Sequence, residues 1–318
     1  MSEATPASRQ LSGKVALVAG ATRGAGRAIA VELARAGAYV YATGRSSRQT
    51  GPSEIERPET IDETGEMMHA AGGAGVALRV DHLEPDEVAG LVARIEAEQG
   101  KLDILVNDIF GGDRYSEWNR KLWEHDLAGG LRMLRMGIDT HLITANKAIP
   151  LMLAGVASGA SSYGLVVEMT DGTSEYNKNY REVVGFYYDM VKAAVERITI
   201  GLTAELAGTA VTAVAVTPGW LRSEAMLEHY GVTEPSWRDA IAKEPHFCIS
   251  ETPYFVGRGV AALAGDSGLA RYAGRVLTSY DLAKAYGVTD TDGSQPDCWR
   301  YVVEVQDADK PATEAGYR

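Results

Sequence analysis

The chain is poor in cysteine and in positive charge, and it has no long apolar runs. Its 318 residues contain two cysteines, Cys248 and Cys298, far apart and with no CxxC spacing. That excludes a disulfide framework and a thiolate metal site, and it fits a reducing, cytoplasmic compartment. No apolar run approaches the ~18 residues that a membrane helix requires. Against 43 Asp and Glu there are only 31 Lys and Arg, a net charge of −12. This argues against nucleic acid or an anionic membrane as a partner, while a local basic pocket could still hold an anionic cofactor. The six histidines show no ligand spacing, and no metal is expected. Residues 1–10 are polar and lack the apolar stretch of a signal peptide, so they are expected to be a disordered leader before one domain, 11–318.

What is present is an alternation of short apolar runs with amphipathic stretches. Strands are expected at 15–19, 38–42, 75–80, 104–106, 165–169 and 211–217. Helices are expected at 24–36, 58–71, 85–99, 129–153 and 183–207. Fully apolar strands alternating with helices imply an α/β fold, a doubly wound parallel sheet covered on both faces, the Rossmann arrangement in three layers. Three segments exceed what this alternation needs, 45–58, 111–128 and 220–253, and the last two follow strand C-termini, where such sheets bind ligands. Trp118, Trp123, Trp220 and Trp237 in them could stack on an aromatic substrate or simply anchor the loops.

Two motifs carry chemistry. After the first strand, Gly20, Gly24 and Gly26 are spaced G-x-x-x-G-x-G around Thr22 and Arg23, a turn that lets backbone and helix start approach a pyrophosphate. The second strand ends in Thr43-Gly44-Arg45, without the acid that would bind a ribose 2′-hydroxyl. Arg23 and Arg45 suit a 2′-phosphate instead, so NADP(H) is expected. Far downstream, Tyr188 and Lys192 stand four apart and share a helix face. An ammonium beside a phenol lowers the phenol's pKa and tunes it as a general acid toward a carbonyl oxygen. Tyr187 has Val191 at that spacing and is not a candidate.

With these motifs in this order, the chain resembles a classical short-chain dehydrogenase/reductase over about residues 12–280. The matching stretches are the glycine turn, Asp81-His82, Leu105-Val106-Asn107, Tyr188–Lys192 and Pro218-Gly219-Trp220-Leu221-Arg222-Ser223. The resemblance implies that Asp81 and His82 lie by the adenine and that Asn107 stabilises the central sheet. It implies that Lys192 also holds the nicotinamide ribose, and that Pro218, Gly219, Leu221 and Ser223 contact the nicotinamide. It further implies a homodimer or homotetramer.

The chain departs from the family pattern in three places. Asn107-Asp108-Ile109-Phe110 stands for N-N-A-G, Gly137 aligns with the helix asparagine, and Asp171 falls where the catalytic serine belongs. Thr170, Thr173 or Ser174 could supply the hydroxyl, or Asp171 could take another role. An ionised carboxylate there would repel a developing oxyanion. His141 could feed a proton relay or be a plain helix-face histidine. The expected function is an NADPH-dependent carbonyl reductase acting on a small or medium ketone, aromatic or polycyclic ones included. Alcohol oxidation and imine reduction belong to the same chemistry. The departures at Asp171 and Gly137 keep a second expectation open, a cofactor-sensing or scaffolding protein that binds NADP(H) with weak or no catalysis.

Overall fold

The computed structural model describes residues 10–318. Of the expected leader, only Gln10 lies within the described residues. The strands are β1 (Val15–Ala19), β2 (Tyr39–Gly44), β3 (Ala74–Arg79), β4 (Ile104–Asn107), β5 (Gly164–Met169), β6 (Val211–Thr217) and β7 (Val276–Thr278). They form one parallel sheet in the order β3-β2-β1-β4-β5-β6-β7. The order reverses between β1 and β4, and a crevice opens there beyond the strand C-termini.

Every residue of β1, β4, β5 and β6 is buried. This is why these strands read as mostly apolar runs, broken only by buried polar residues such as Asn107 and Glu168. Their side chains alternate between two cores. Ala16 and Val18 face one core with Ile29 and Leu33 of α1 (Gly24–Arg35) and Val256 and Val260 of α8 (Pro253–Ala264). Val15 and Leu17 face the other, with Val88 and Ile95 of α3 (Pro85–Gln99) and Ala148 and Met152 of α5 (Thr140–Ala157). Each such buried aliphatic side chain contributes about 1.5–3 kcal/mol of transfer free energy.

Element ends depart from expectation where local chemistry decides them. The helix expected over 58–71 is α2 (Ile61–Ala70), because Thr60 caps it: its hydroxyl accepts from Glu63 N while the Glu63 carboxylate accepts from Thr60 N. The helix expected over 129–153 is longer and composite. It runs through α4 (Leu127–Leu134), a π turn at Arg135–Asp139 and α5, which contains Pro150. The helix expected from 183 begins later, as α6 (Phe186–Glu205), because Gly185 (φ 81°) breaks it from the 3₁₀ turn Glu182–Val184. Among the elements that were not expected are β7, α8, α9 (Ser279–Tyr286) and a short helix at Cys298–Tyr301. The segment 220–253 is not plain loop but holds α7 (Glu224–Tyr230) and 3₁₀ turns at Glu234–Ala242 and Pro245–Ile249.

Candidate active site

The turn after β1 is built by close approach. Gly20 has φ 89°, and a Cβ there would collide with the Asp108 carbonyl oxygen. The Gly20 and Ala21 N–H groups donate to Thr43 O at 3.0 and 2.8 Å. Gly26 packs directly beneath Gly20 O. Gly24, at φ 56°, differs: no heavy atom lies within 4 Å of where its Cβ would stand. That space adjoins the N-terminus of α1, which attracts anions. A carboxylate already sits there. Glu224 Oε2 accepts from Gly24 N at 2.9 Å, and Glu224 Oε1 pairs with Arg27 Nη1 at 3.2 Å. With the open cradle, this stand-in anion shows that the turn fits a dinucleotide phosphate.

Beyond β2, Arg45 Nη1 donates to Glu54 Oε1 at 2.7 Å and lies 3.9 Å from Asp81 Oδ2. Glu54 also accepts from Arg132 Nη2 at 2.7 Å and from Tyr115 Oη at 3.2 Å. Burial would raise the Glu54 pKa, but hydrogen bonds from Arg132 and Arg45 prevail and hold it down at about 2. Arg23 Nε pairs with Glu59 at 3.1 Å. Both guanidinium groups expected at a 2′-phosphate therefore rest on the chain's own glutamates. His82 lies between the Thr43 and Thr144 hydroxyls at 2.8 and 2.7 Å, and burial pushes its pKa down to about 3, so it is a neutral strut.

At the other end of the crevice, α6 carries Tyr188 and Lys192. Tyr188 Oη donates to Asp171 Oδ2 at 3.0 Å, and Arg181 Nη1 reaches the same oxygen at 3.1 Å. Arg181 Nε pairs with Asp189 at 3.2 Å. Lys192 Nζ stands 4.1 Å over the Phe110 ring and 5.4 Å from the Tyr188 ring centroid. The Tyr188 phenol is not brought below its ordinary value by Lys192 alone. Burial, then the charges of Asp171 and Asp113, holds the phenol well above its ordinary value. Lys192 itself is shifted down by burial.

The hydroxyls considered as substitutes for the serine have partners of their own. Thr170 Oγ1 donates to Lys192 O at 2.7 Å, Thr173 Oγ1 accepts from Tyr176 N at 3.1 Å, and neither Thr173 nor Ser174 lines the cleft. Asp171 is the group that meets Tyr188.

Gly137 lies in the π turn. A Cβ there would collide with Val191 of α6, so no asparagine side chain fits. His141 is not a plain helix-face histidine. It is buried, with Nδ1 2.5 Å from Glu168 Oε2 and Nε2 2.9 Å from Ile109 O, while Asn107 Nδ2 donates to Glu168 Oε1 at 2.8 Å. Ile109 O can only accept, so Nε2 carries a proton and the His141–Glu168 pair shares one more.

The family model for short chain dehydrogenase matches residues 14–230. The chain belongs to the short chain dehydrogenase family. It is similar to the mouse Dehydrogenase/reductase SDR family member 1, 31% identical over 288 residues, 89% of this chain and 85% of the relative. The 7alpha-hydroxysteroid dehydrogenase of Clostridium sardiniense is 27% identical over 70% of this chain and 76% of its own. Among solved structures, a short chain dehydrogenase from Mycobacterium thermoresistibile shares the fold, with a TM-score of 0.71 and 22% identity over 88% of this chain and 90% of its own.

In this short-chain dehydrogenase, one cleft of about 1100 Å³ collects most of the expected residues. Gly20, Thr22, Arg23, Gly24, Arg45, Asp81, His82, Thr170, Asp171, Tyr188, Lys192, Pro218, Gly219, Leu221 and Ser223 all line it. Gly26, Asn107 and Thr173 do not line it. Trp118 and Trp220 line it, whereas Trp123, 82% exposed, and Trp237, buried, do not. Sequence reasoning missed Trp299, whose Nε1 donates to Pro218 O at 2.9 Å and whose ring lies 5.2 Å from that of Tyr176. Its only signal was an apolar spacing in the tail. No cluster of metal ligands occurs among the described residues.

Proposed function

We propose that this short-chain dehydrogenase is an NADP(H)-dependent carbonyl reductase, or an alcohol dehydrogenase in reverse. The observation that carries the reading is the cleft that brings the glycine turn and Arg45 to one end and Tyr188 and Lys192 to the other. The bound nicotinamide would supply or accept the hydride. Gly20, Thr22, Arg23, Gly24 and Arg45 would hold the phosphates, with Asp81 and His82 beside the adenine. Lys192 would hold the ribose, and Pro218, Gly219, Leu221 and Ser223 would orient the carboxamide. Tyr188, kept protonated by its surroundings, would donate the proton. The similarity to a 7alpha-hydroxysteroid dehydrogenase favours a polycyclic or aromatic small molecule. The chain is a single-domain cytoplasmic enzyme in this reading, working as a homodimer or homotetramer. The exposed Leu127, Leu131 and Leu142 on the α4–α5 helix and Met190 and Ile200 on α6 support that assembly.

A second reading, a sensor that binds NADP(H) with little turnover, is favoured by Asp171 and Gly137. Steady NADPH oxidation with a panel of aromatic ketones separates the two. Tyr188→Phe should reduce it by about 10²–10⁴-fold. Undiminished cofactor binding without Tyr188-dependent turnover would favour the sensor.

A further inference from the structure

The geometry points to a substrate whose reacting group is a cationic C=N, an iminium, held by the Asp171 carboxylate. This rests on the oxidoreductase reading above and narrows its reacting group from C=O to C=N.

Asp171 Oδ2 accepts from both Tyr188 Oη and Arg181 Nη1, and the pairing with the Arg181 guanidinium favours the carboxylate form. Both bonds reach Oδ2, which leaves Oδ1 for a donor from the cleft; the side chain is 33% exposed there. The carboxylate thus lies within hydrogen-bond distance of the phenol that would serve the reacting atom. For a ketone this placement is adverse, because negative charge grows on the carbonyl oxygen in the transition state. For a protonated imine it is favourable, because the N–H⁺ both donates to and is attracted by the carboxylate. Hydride addition to the iminium carbon sends the C=N π pair to nitrogen, so the cation becomes a neutral amine and the reduced nicotinamide is left oxidised. No oxyanion forms, and no hydroxyl donor is needed where the chain lacks one.

The rest of this end of the cleft agrees. Its acids are Asp108, Asp113, Asp171, Glu182 and Asp307, and its bases are Arg181 and Lys192. Arg181 is already committed to Asp171 and Asp189. Trp118, Tyr176, Trp220 and Trp299 supply ring faces suited to a cation. Lys192 Nζ, 4.1 Å over Phe110, shows an ammonium resting on one such face.

The test uses the full chain with NADP⁺. Binding of 1,2,3,4-tetrahydroisoquinolinium, a cation, is compared with isochroman, its neutral oxygen isostere, by quenching of tryptophan fluorescence. The cation should bind at least about tenfold tighter. Asp171→Asn should erase that difference while leaving NADP⁺ affinity unchanged. In turnover, 3,4-dihydroisoquinoline should outpace 1-tetralone, and Asp171→Ser should shift the ratio of their kcat/KM values toward the ketone by about tenfold or more. Equal binding of cation and ether by the wild type overturns the proposal, and that comparison needs no variant to fold. So does faster, Tyr188-dependent reduction of 1-tetralone with a ratio that Asp171→Ser leaves alone; in that case the oxidoreductase reading stands. Loss of the oxidoreductase reading looks different: neither probe is reduced at all, while the binding comparison still reads Asp171.

Discussion

The carboxylate of Glu224 accepts a hydrogen bond from the backbone N–H of Gly24 at 2.9 Å, across 200 residues of sequence. It takes the place at the start of α1 that a dinucleotide phosphate would need. Glu224 belongs to α7, whose Ala225 and Met226 line the cleft, so a phosphate bound at Gly24 N would have to displace its carboxylate. Glu224→Ala removes the competitor and should tighten NADPH by a few-fold, since a charge at a helix N-terminus is worth about 0.3–1 kcal/mol. A fluorescence titration measures this. Weaker binding in the variant would mean that Glu224 orders the cleft instead of filling it.

Glu54 plays the matching part beyond β2. Its carboxylate links Arg45 to Arg132 and Tyr115, joining the cofactor end of the cleft to the 111–128 segment and α4. A 2′-phosphate would compete with Glu54 for Arg45. Arg45→Ala should therefore cost NADPH about tenfold or more and leave NADH nearly unchanged, as a charge-assisted hydrogen bond is worth about 1.5–3 kcal/mol. Glu54→Gln should move NADPH affinity the other way. Parallel NADPH and NADH titrations of both variants check this, and equal losses for the two cofactors would remove the 2′-phosphate argument.

Much of this fold could be read before any coordinates, for a physical reason. Strands buried on both faces must be mostly apolar, so β1, β5 and β6 announce themselves despite Glu168, Thr212 and Thr217. β7 does not, being three residues of which only Leu277 is fully buried. The π turn is illegible because it answers Val191 on another helix. The same limit applies at the site. The Tyr188–Lys192 spacing is local, and so it was visible. The partners Glu54, Glu224 and Glu168 are set by tertiary approach, and no spacing encodes them. Asp171 was recognised as anomalous, but only the path of 172–185 shows that it meets Tyr188.

Tyr188 should give an unusual pH profile. Burial first and Asp171 second hold its pKa above the ordinary value, so the acid form persists as pH rises. Reduction should keep its kcat/KM through about pH 9, with no alkaline limb from the phenol. Asp171→Asn removes one raising charge and should bring that limb down into reach. A limb already present in the wild type and unmoved by Asp171→Asn would assign it to another group.

Glu251 gives a stability prediction. It is fully buried, Ser279 Oγ donates to its Oε1 at 2.5 Å, and its Oε2 has no partner. Burial pushes its pKa up from 4.5 to about 8. Between those values the folded state keeps a proton that the unfolded state has released. Stability must then fall as pH rises through that window, by at most about 1.4 kcal/mol per pH unit, and level off above it. Glu251→Gln should flatten the dependence and raise the urea midpoint at pH 8 relative to the wild type. An unchanged slope would place the carboxylate in contact with water.

Gly137 ties the π turn to the catalytic helix. A Cβ at 137 would press on Val191, which lies between Tyr188 and Lys192 on α6. Restoring an asparagine here cannot restore a relay, since its first atom already has no space. Gly137→Asn should cost about 1–3 kcal/mol by overpacking and lower turnover by displacing the Tyr188–Lys192 face. Val191→Ala alone opens a small cavity. Combined with Gly137→Ala, it should recover much of what Gly137→Ala loses, because the two changes act on one contact and are not additive. Urea unfolding of the two single variants and the double closes the cycle. Strict additivity would show that α4, α5 and α6 yield at this crossing, and that glycine is there for the π turn alone.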